Sequence, residues 1–192
     1  MLLRHWRADD LAPFAAMGAD PAVMEHFPRT LSTGQSAEVM QRIERSLQEH
    51  GYGFWALELP GETSFGGFVG IAPVPPEMPF APSTELGWRL ARPLWGRGLA
   101  CEAARAVIEH AFEGLEMDEL LAYTAAGNER SRRLMERLGM RHDPAEDFLH
   151  PNLPATHRLA PHVLYRLTAP GRPGNKLESC AGATPTRQDR KS

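Results

Sequence analysis

Between residues 84 and 115 the chain runs from a strand-like stretch through a tight turn, Gly96-Arg97-Gly98, directly into its strongest helical pattern. Apolar residues at 99, 103, 107, 111 and 115, joined by 104, 108 and 112, line one broad helical face. A face that wide belongs on a sheet, so the chain must lay this helix on strands that include the one feeding it. The glycines let the backbone approach a ligand closely, and the free amides and positive dipole end near Leu99 face the same point. That geometry favours a phosphate group, and Arg97 between the glycines supplies a cation.

The elements on either side are legible by period. Residues 2–7 read as a strand, and Asp9 and Asp10 suit the start of a helix carrying Leu11, Phe14, Ala15 and Met17. Asp20-Pro21 breaks it, and a second short helical piece is predicted through Val23, Met24 and Phe27. Ser32-Thr33 opens a longer helix with Val39, Met40, Ile43 and Leu47 on one face, and Gly51 ends it. Strand-like runs follow at 52–59, 65–72 and 84–91, the first two joined as a hairpin through Pro60-Gly61-Glu62. Residues 120–125 read as a buried strand, 129–138 as a helix stopped by Gly139, and 162–167 as a closing strand. A strand, helix, strand, helix run inside an antiparallel chain predicts an α+β or mixed α/β fold: a mostly antiparallel sheet, a parallel pair at its centre, and flanking helices.

Composition narrows the function. Of 192 residues, 42% are apolar, enough for one core, and a single domain is expected over 1–168. Two cysteines, Cys101 and Cys180, exclude a disulfide scaffold and a four-cysteine zinc site, and suit the cytoplasm. The opening residues lack the apolar run of a signal peptide, and no stretch approaches a membrane span. Residues 1–168 hold 16 basic and 22 acidic residues, a net of −6. An acidic body does not suit nucleic acid. Residues 169–192 hold 5 basic and 2 acidic residues, are rich in Pro, Gly, Ser and Thr, and read as disordered. Both lysines, Lys176 and Lys191, lie there, so the body contains no lysine nucleophile.

A nucleoside-triphosphate loop would need Gly-Lys-Ser/Thr after the turn, and a dinucleotide fingerprint would need glycine where Cys101 stands. Neither is present. Trp95-Gly96-Arg97-Gly98-Leu99-Ala100 instead resembles the pyrophosphate-binding loop of the GNAT superfamily of N-acetyltransferases, patterned Gln/Arg-x-x-Gly-x-Gly/Ala, with Gly98 and Ala100 at its small positions. Trp95 departs from the polar first position. Trp-Gly-Arg/Lys-Gly is the form associated with the branch resembling the ribosomal-protein N-terminal acetyltransferases. Residues 124–140 are similar to the family's second motif, Asn128-x-x-Ser131 followed by a helix ending Leu138-Gly139-Met140. The motifs cover 85–140, and the element order extends the resemblance to about 1–168.

The resemblance implies acetyl-CoA as co-substrate, no metal, and a primary amine as acceptor. It places the pantetheine arm in a splayed gap between the two parallel strands, paired with backbone of the first, Trp88 and Leu90 among it. The pyrophosphate would lie on the turn from Trp95 and Gly96 through Arg97, Gly98, Leu99 and Ala100. Asn128 and Ser131 would approach the thioester and pantetheine, while local physics also makes Asn128 an N-cap. Glu85, at the start of the strand, is the candidate base or ammonium partner. Met135 stands where many relatives carry a tyrosine that protonates the leaving thiolate, so Ser131 or a water must replace it, or the thiolate leaves unprotonated. That substitution is the one feature favouring a non-catalytic acyl-CoA-binding module. The acidic body suggests a cationic acceptor such as a protein α-amine, a polyamine or an aminoglycoside. A monomer or homodimer is expected. Residues 142–161, with His142, Asp143, Asp147 and His150, read as a long loop over the acceptor side, Trp55, Phe68 and Trp88 as core, with Trp55 also a candidate wall of the acceptor pocket, and Arg130, Arg132, Arg133 and Arg137 as a solvated helix face.

Overall fold

Strand β1 (Leu2–Arg4) is anchored through its last residue. Arg4 donates two hydrogen bonds, of 2.7 and 2.8 Å, to the buried carboxylate of Asp10, and a third to Glu58. Asp10 also accepts from the amide of Arg7, so one carboxylate closes the turn into helix α1 (Leu11–Ala19). Helix α2 (Thr33–His50) begins at a reciprocal cap: Ser32 Oγ accepts from the Gln35 amide, and Gln35 Oε1 accepts from the Ser32 amide. Gly51 ends it as anticipated.

The computed structural model describes residues 1–171; beyond these, the tail anticipated as disordered lies outside the described residues. After α2 come β2 (Phe54–Leu59), β3 (Thr63–Pro73), β4 (Thr84–Leu90), α3 (Leu99–Glu109), β5 (Glu119–Ala125), α4 (Glu129–Arg137), β6 (Arg141–His142), β7 (Phe148–Leu149) and β8 (Pro161–Thr168). The described strands form one open sheet in the order β1-β2-β3-β4-β5-β8-β6, with β7 also on β8. Every pairing is antiparallel except β4 with β5, which is the parallel pair read from the sequence.

Helices cover both faces. On one, α1 and α2 enclose Trp6, Phe14, Phe65 and Phe68, and the Trp6 and Phe14 rings meet edge-on at 5.1 Å. On the other, α3 and α4 bury Val107, Ala104 and Leu138 against Leu57, Val69 and Leu120 of the sheet. A smaller group, Val74, Met78, Leu121 and Leu164, lies under Phe80 and Phe148.

Two expectations are corrected. The segment predicted as a short helix around Val23, Met24 and Phe27 is a run of turns, because Asp20 Oδ1 takes the Ala22 amide and Pro28 follows Phe27 at once. Residues 142–161 are not a plain loop. Their β6 and β7 pair with β8, closing an edge that would otherwise stand open. Two-residue strands carry no periodic signal, so the sequence could not announce them. Replacing Asp10 with Ala is expected to lower the unfolding free energy by about 3 kcal/mol in urea denaturation, because Arg4, its side chain only 12% exposed, loses its main counter-charge.

Candidate active site

Strand β4 is committed along its length to β3, with seven paired positions from Gly67↔Leu90 to Pro73↔Thr84, and β5 is equally committed to β8. The two meet in a single parallel register, Glu85↔Leu121. Beyond it no pairing joins them, and among the described residues the rest of β4 has no ladder partner on its β5 side. The cleft along this gap has a volume of about 960 Å³.

After Leu90 the chain makes a short 3-10 turn, Arg92–Leu94, and enters the glycine turn. Gly96 and Gly98 have φ of 74° and 79°, the left-handed region where a side chain is strained, although a Cβ on either would meet nothing within 4 Å. The backbone conformation, not crowding, calls for glycine. The amides of Cys101 and Glu102 both donate to Gly98 O, whereas those of Gly98, Leu99 and Ala100 have no hydrogen-bond partner among the described residues. Three amides at the start of an eleven-residue helix therefore present themselves at the mouth of the gap. Trp95 closes one side; its indole N–H donates to Leu90 O at 2.9 Å, and the Arg130 guanidinium lies 4.3 Å from its ring centroid.

Of the residues singled out in the sequence, Glu85, Trp88, Leu90, Trp95, Gly96, Gly98, Leu99, Ala100, Asn128 and Ser131 line this cleft, and Arg97 does not. The exposed Arg97 guanidinium is forked onto Glu62 of the β2–β3 turn, at 2.5 and 2.8 Å. The cation beside the turn is Arg130, which the sequence assigned to a solvated face. Asn128 caps α4 as local physics requires: Oδ1 accepts from the Ser131 amide at 3.3 Å, while Nδ2 donates to Thr124 Oγ1 at 2.9 Å and Ser131 Oγ at 3.1 Å. Ser131 Oγ thus accepts one bond, and among the described residues its own hydrogen has no acceptor. Met135 is buried in the core cluster that includes α3, and it also lines the cleft, where it offers no hydroxyl.

The residues that sequence reasoning missed come from neighbouring strands. Glu85 interacts with the hydroxyl of Tyr123 on β5. Burial pushes the Glu85 carboxyl above the usual carboxylate range, and the Tyr123 hydroxyl partly opposes that. Burial and the Glu85 charge push Tyr123 up, so it stays a neutral donor. His162 packs near Tyr123, and its ring centroid lies 4.9 Å from that of His150. Desolvation lowers both imidazoles, leaving them neutral at pH 7. Only the register of β5 against β4 and β8 brings these groups together. Trp55, a candidate wall of the acceptor pocket, turns to the other face and packs 5.8 Å from His110, while Phe54 lines the cleft. His142 and Asp147 pair with each other at 2.7 Å, away from His150. Among the described residues no group of three or more His, Cys, Asp or Glu could hold a metal ion. Nor, among them, is any helix long and apolar enough to cross a membrane.

Asn128→Ala is expected to cost about 1 kcal/mol of unfolding free energy, measured in urea, through loss of the α4 cap.

A family model described as an acetyltransferase (GNAT) domain matches residues 1–141. The protein YkkB of Bacillus subtilis (strain 168) is 30% identical over 132 residues, covering 69% of this chain and 76% of that protein. An acetyltransferase structure from Agrobacterium tumefaciens str. C58 superposes with a TM-score of 0.68 at 26% identity, over 86% of this chain and 88% of that one. The structure of RimJ from Mycobacterium smegmatis in complex with CoA-disulfide superposes with a TM-score of 0.67 at 23% identity, over 90% of this chain and 83% of that one.

Proposed function

The chain belongs to the GNAT acetyltransferase family, and on that footing we propose that it transfers the acetyl group of acetyl-CoA to a primary amine, by direct attack in a ternary complex. The observation that carries this is the coincidence in one cleft of three unpaired amides at the start of α3, an unpaired strand edge on β4, and a buried carboxylate, Glu85. The RimJ structure, which holds a CoA-disulfide, supports the same use of the fold. Bound acetyl-CoA would supply the thioester carbonyl that an amine attacks.

The residues around it have separable tasks. The Gly98, Leu99 and Ala100 amides receive the pyrophosphate at the positive end of α3, with Arg130 and Trp95 beside them. The backbone of β4 from Leu86 to Leu90 receives the pantetheine arm and offers an amide to the developing oxyanion. An ammonium has no lone pair, so the acceptor must lose a proton before the N–C bond forms. Glu85, raised by burial, accepts that proton more readily than an ordinary carboxylate would. Tyr123 orients the carboxyl, and the neutral His150 and His162 continue the polar path beyond it. As the C–S bond breaks, the thiolate takes a proton from water, directly or relayed through the Ser131 hydroxyl, which recovers its own proton from solvent, and Glu85 releases to solvent the proton it took from the amine. Tyr123 is a phenol in this cleft, and in this reading it serves Glu85, not the leaving thiolate.

Calorimetric titration with acetyl-CoA should show micromolar binding, weakened at least about tenfold in Gly98→Val, which strains the turn and covers its amides. A folded sample that does not bind would overturn the proposal. Glu85→Gln should lower kcat/KM about a hundredfold. In the wild type kcat/KM should rise as pH passes upward through the raised Glu85 pKa, because the base acts ionised. Tyr123→Phe, by deleting the hydroxyl that holds the carboxyl down, should move that acidic limb to higher pH; an unmoved limb would separate Glu85 from the reaction.

A further inference from the structure

A guanidinium taken out of water keeps its charge at neutral pH and needs hydrogen-bond acceptors to compensate. Arg89, near the end of β4, lacks them at Nε and Nη1 among the described residues. Strand alternation puts it on the same face as Glu85 and Gly87, towards α1 and α2, and opposite Trp88 and Leu90. Its Cζ lies 4.0 Å from the ring centroid of Phe27 and 5.3 Å from that of Phe68. The residue is half-buried, and its Nε and Nη1 are buried with no hydrogen-bond partner among the described residues. The aromatic faces stabilise the charge but offer no acceptor in the guanidinium plane. Burial pushes its pKa down to about 10, still a cation at neutral pH.

All three side chains line the cleft. Among the described residues its single carboxylate is Glu85, four strand positions away, roughly 13 Å along the backbone, and facing Tyr123. Against it the cleft carries five arginines: Arg42, Arg89, Arg130, Arg133 and Arg137. The acidic surface of the body thus does not describe the cavity, which is cationic. The cleft is also roofed at this end. Arg158, from the segment bearing His150 and Leu159, donates to Glu25 O at 2.9 Å and joins it to the connection carrying Phe27.

We propose that Arg89 pairs with a carboxylate on the acceptor, so that the acceptor is a small amine bearing a carboxylate, an amino acid or a compound like one. This rests on the acetyltransferase reading above. A carboxylate is the flat, doubly accepting anion that a guanidinium pairs with best. The roof favours a small molecule over a folded protein terminus.

The test uses the full chain at saturating acetyl-CoA, with thiol release read for the free amino acids and β-alanine, their primary amides, aminophosphonate counterparts, spermidine and an N-terminal peptide. The same panel is run on Arg89→Gln and Arg89→Lys, and acetyl-CoA affinity is measured for each by calorimetry. Wild type should prefer a carboxylate to its amide by at least about tenfold in kcat/KM. Arg89→Gln should abolish the preference with acetyl-CoA affinity within about twofold, and Arg89→Lys, which keeps the charge, should retain part of it. Amides, spermidine, phosphonates or the peptide used as well as or better than carboxylates would overturn the proposal. So would a preference that survives in Arg89→Gln, or a variant whose only defect is weaker acetyl-CoA binding. Acetyl-CoA binding without turnover of any carboxylate in the panel overturns this proposal alone, whereas no acetyl-CoA binding by folded wild type overturns the acetyltransferase reading beneath it.

Discussion

Everything at the cleft depends on two strands that are parallel neighbours and yet pair at one position only. β4 spends its hydrogen bonds on β3, and β5 spends its own on β8, so the Glu85↔Leu121 register is the hinge of a gap instead of the start of a ladder. Unpaired backbone is costly unless water or a ligand satisfies it. The gap is therefore a structural cost that a bound chain of amides can offset, and the adjoining helix start presents three more unpaired amides to the same molecule.

The two faces of the sheet divide the labour around that gap. Trp88 and Leu90 point towards α3 and the main core, while Glu85, Gly87 and Arg89 point towards α1 and α2. Gly87 is the waist between the two charged residues; a Cβ there would stand 2.9 Å from the edge of the Phe54 ring. One alternating strand thus offers backbone to one ligand and side chains of opposite charge to another. The carboxylate lies deep, beside Tyr123, and the guanidinium lies nearer the roof formed by residues 20–31 and 150–160.

Polar economy elsewhere supports this layout. Asn128 satisfies the start of α4 and simultaneously holds the hydroxyls of Thr124 and Ser131, so the second motif is a cap and a cleft wall at once. Arg97 shows the reverse case. Local spacing put a cation between two glycines, but Glu62 lies on the neighbouring hairpin turn and captures it. Arg130, packed on Trp95, stands beside the turn in its place.

By itself the sequence determined the elements that announce themselves over a few residues: the capped helix from Ser32, the amphipathic helix after Gly98, the alternating strands, and the glycine turn with its phosphate-like geometry. Those signals are local, because hydrogen bonds of caps and turns and the periods of 3.6 and 2 are completed within a dozen residues. Tertiary structure decided the rest. The pairing of Glu85 with Tyr123 needs the register of strands 38 residues apart in the chain. The turn of Trp55 away from the cleft needs the face of β2 to be known, and the tiny β6 and β7 exist only because β8 offers an edge. Arg89 reads in the sequence as one more polar residue on a strand. Only the closing of Phe27 and Phe68 around it leaves its Nε and Nη1 buried without an acceptor among the described residues, because burial belongs to the packed chain and not to any stretch of it.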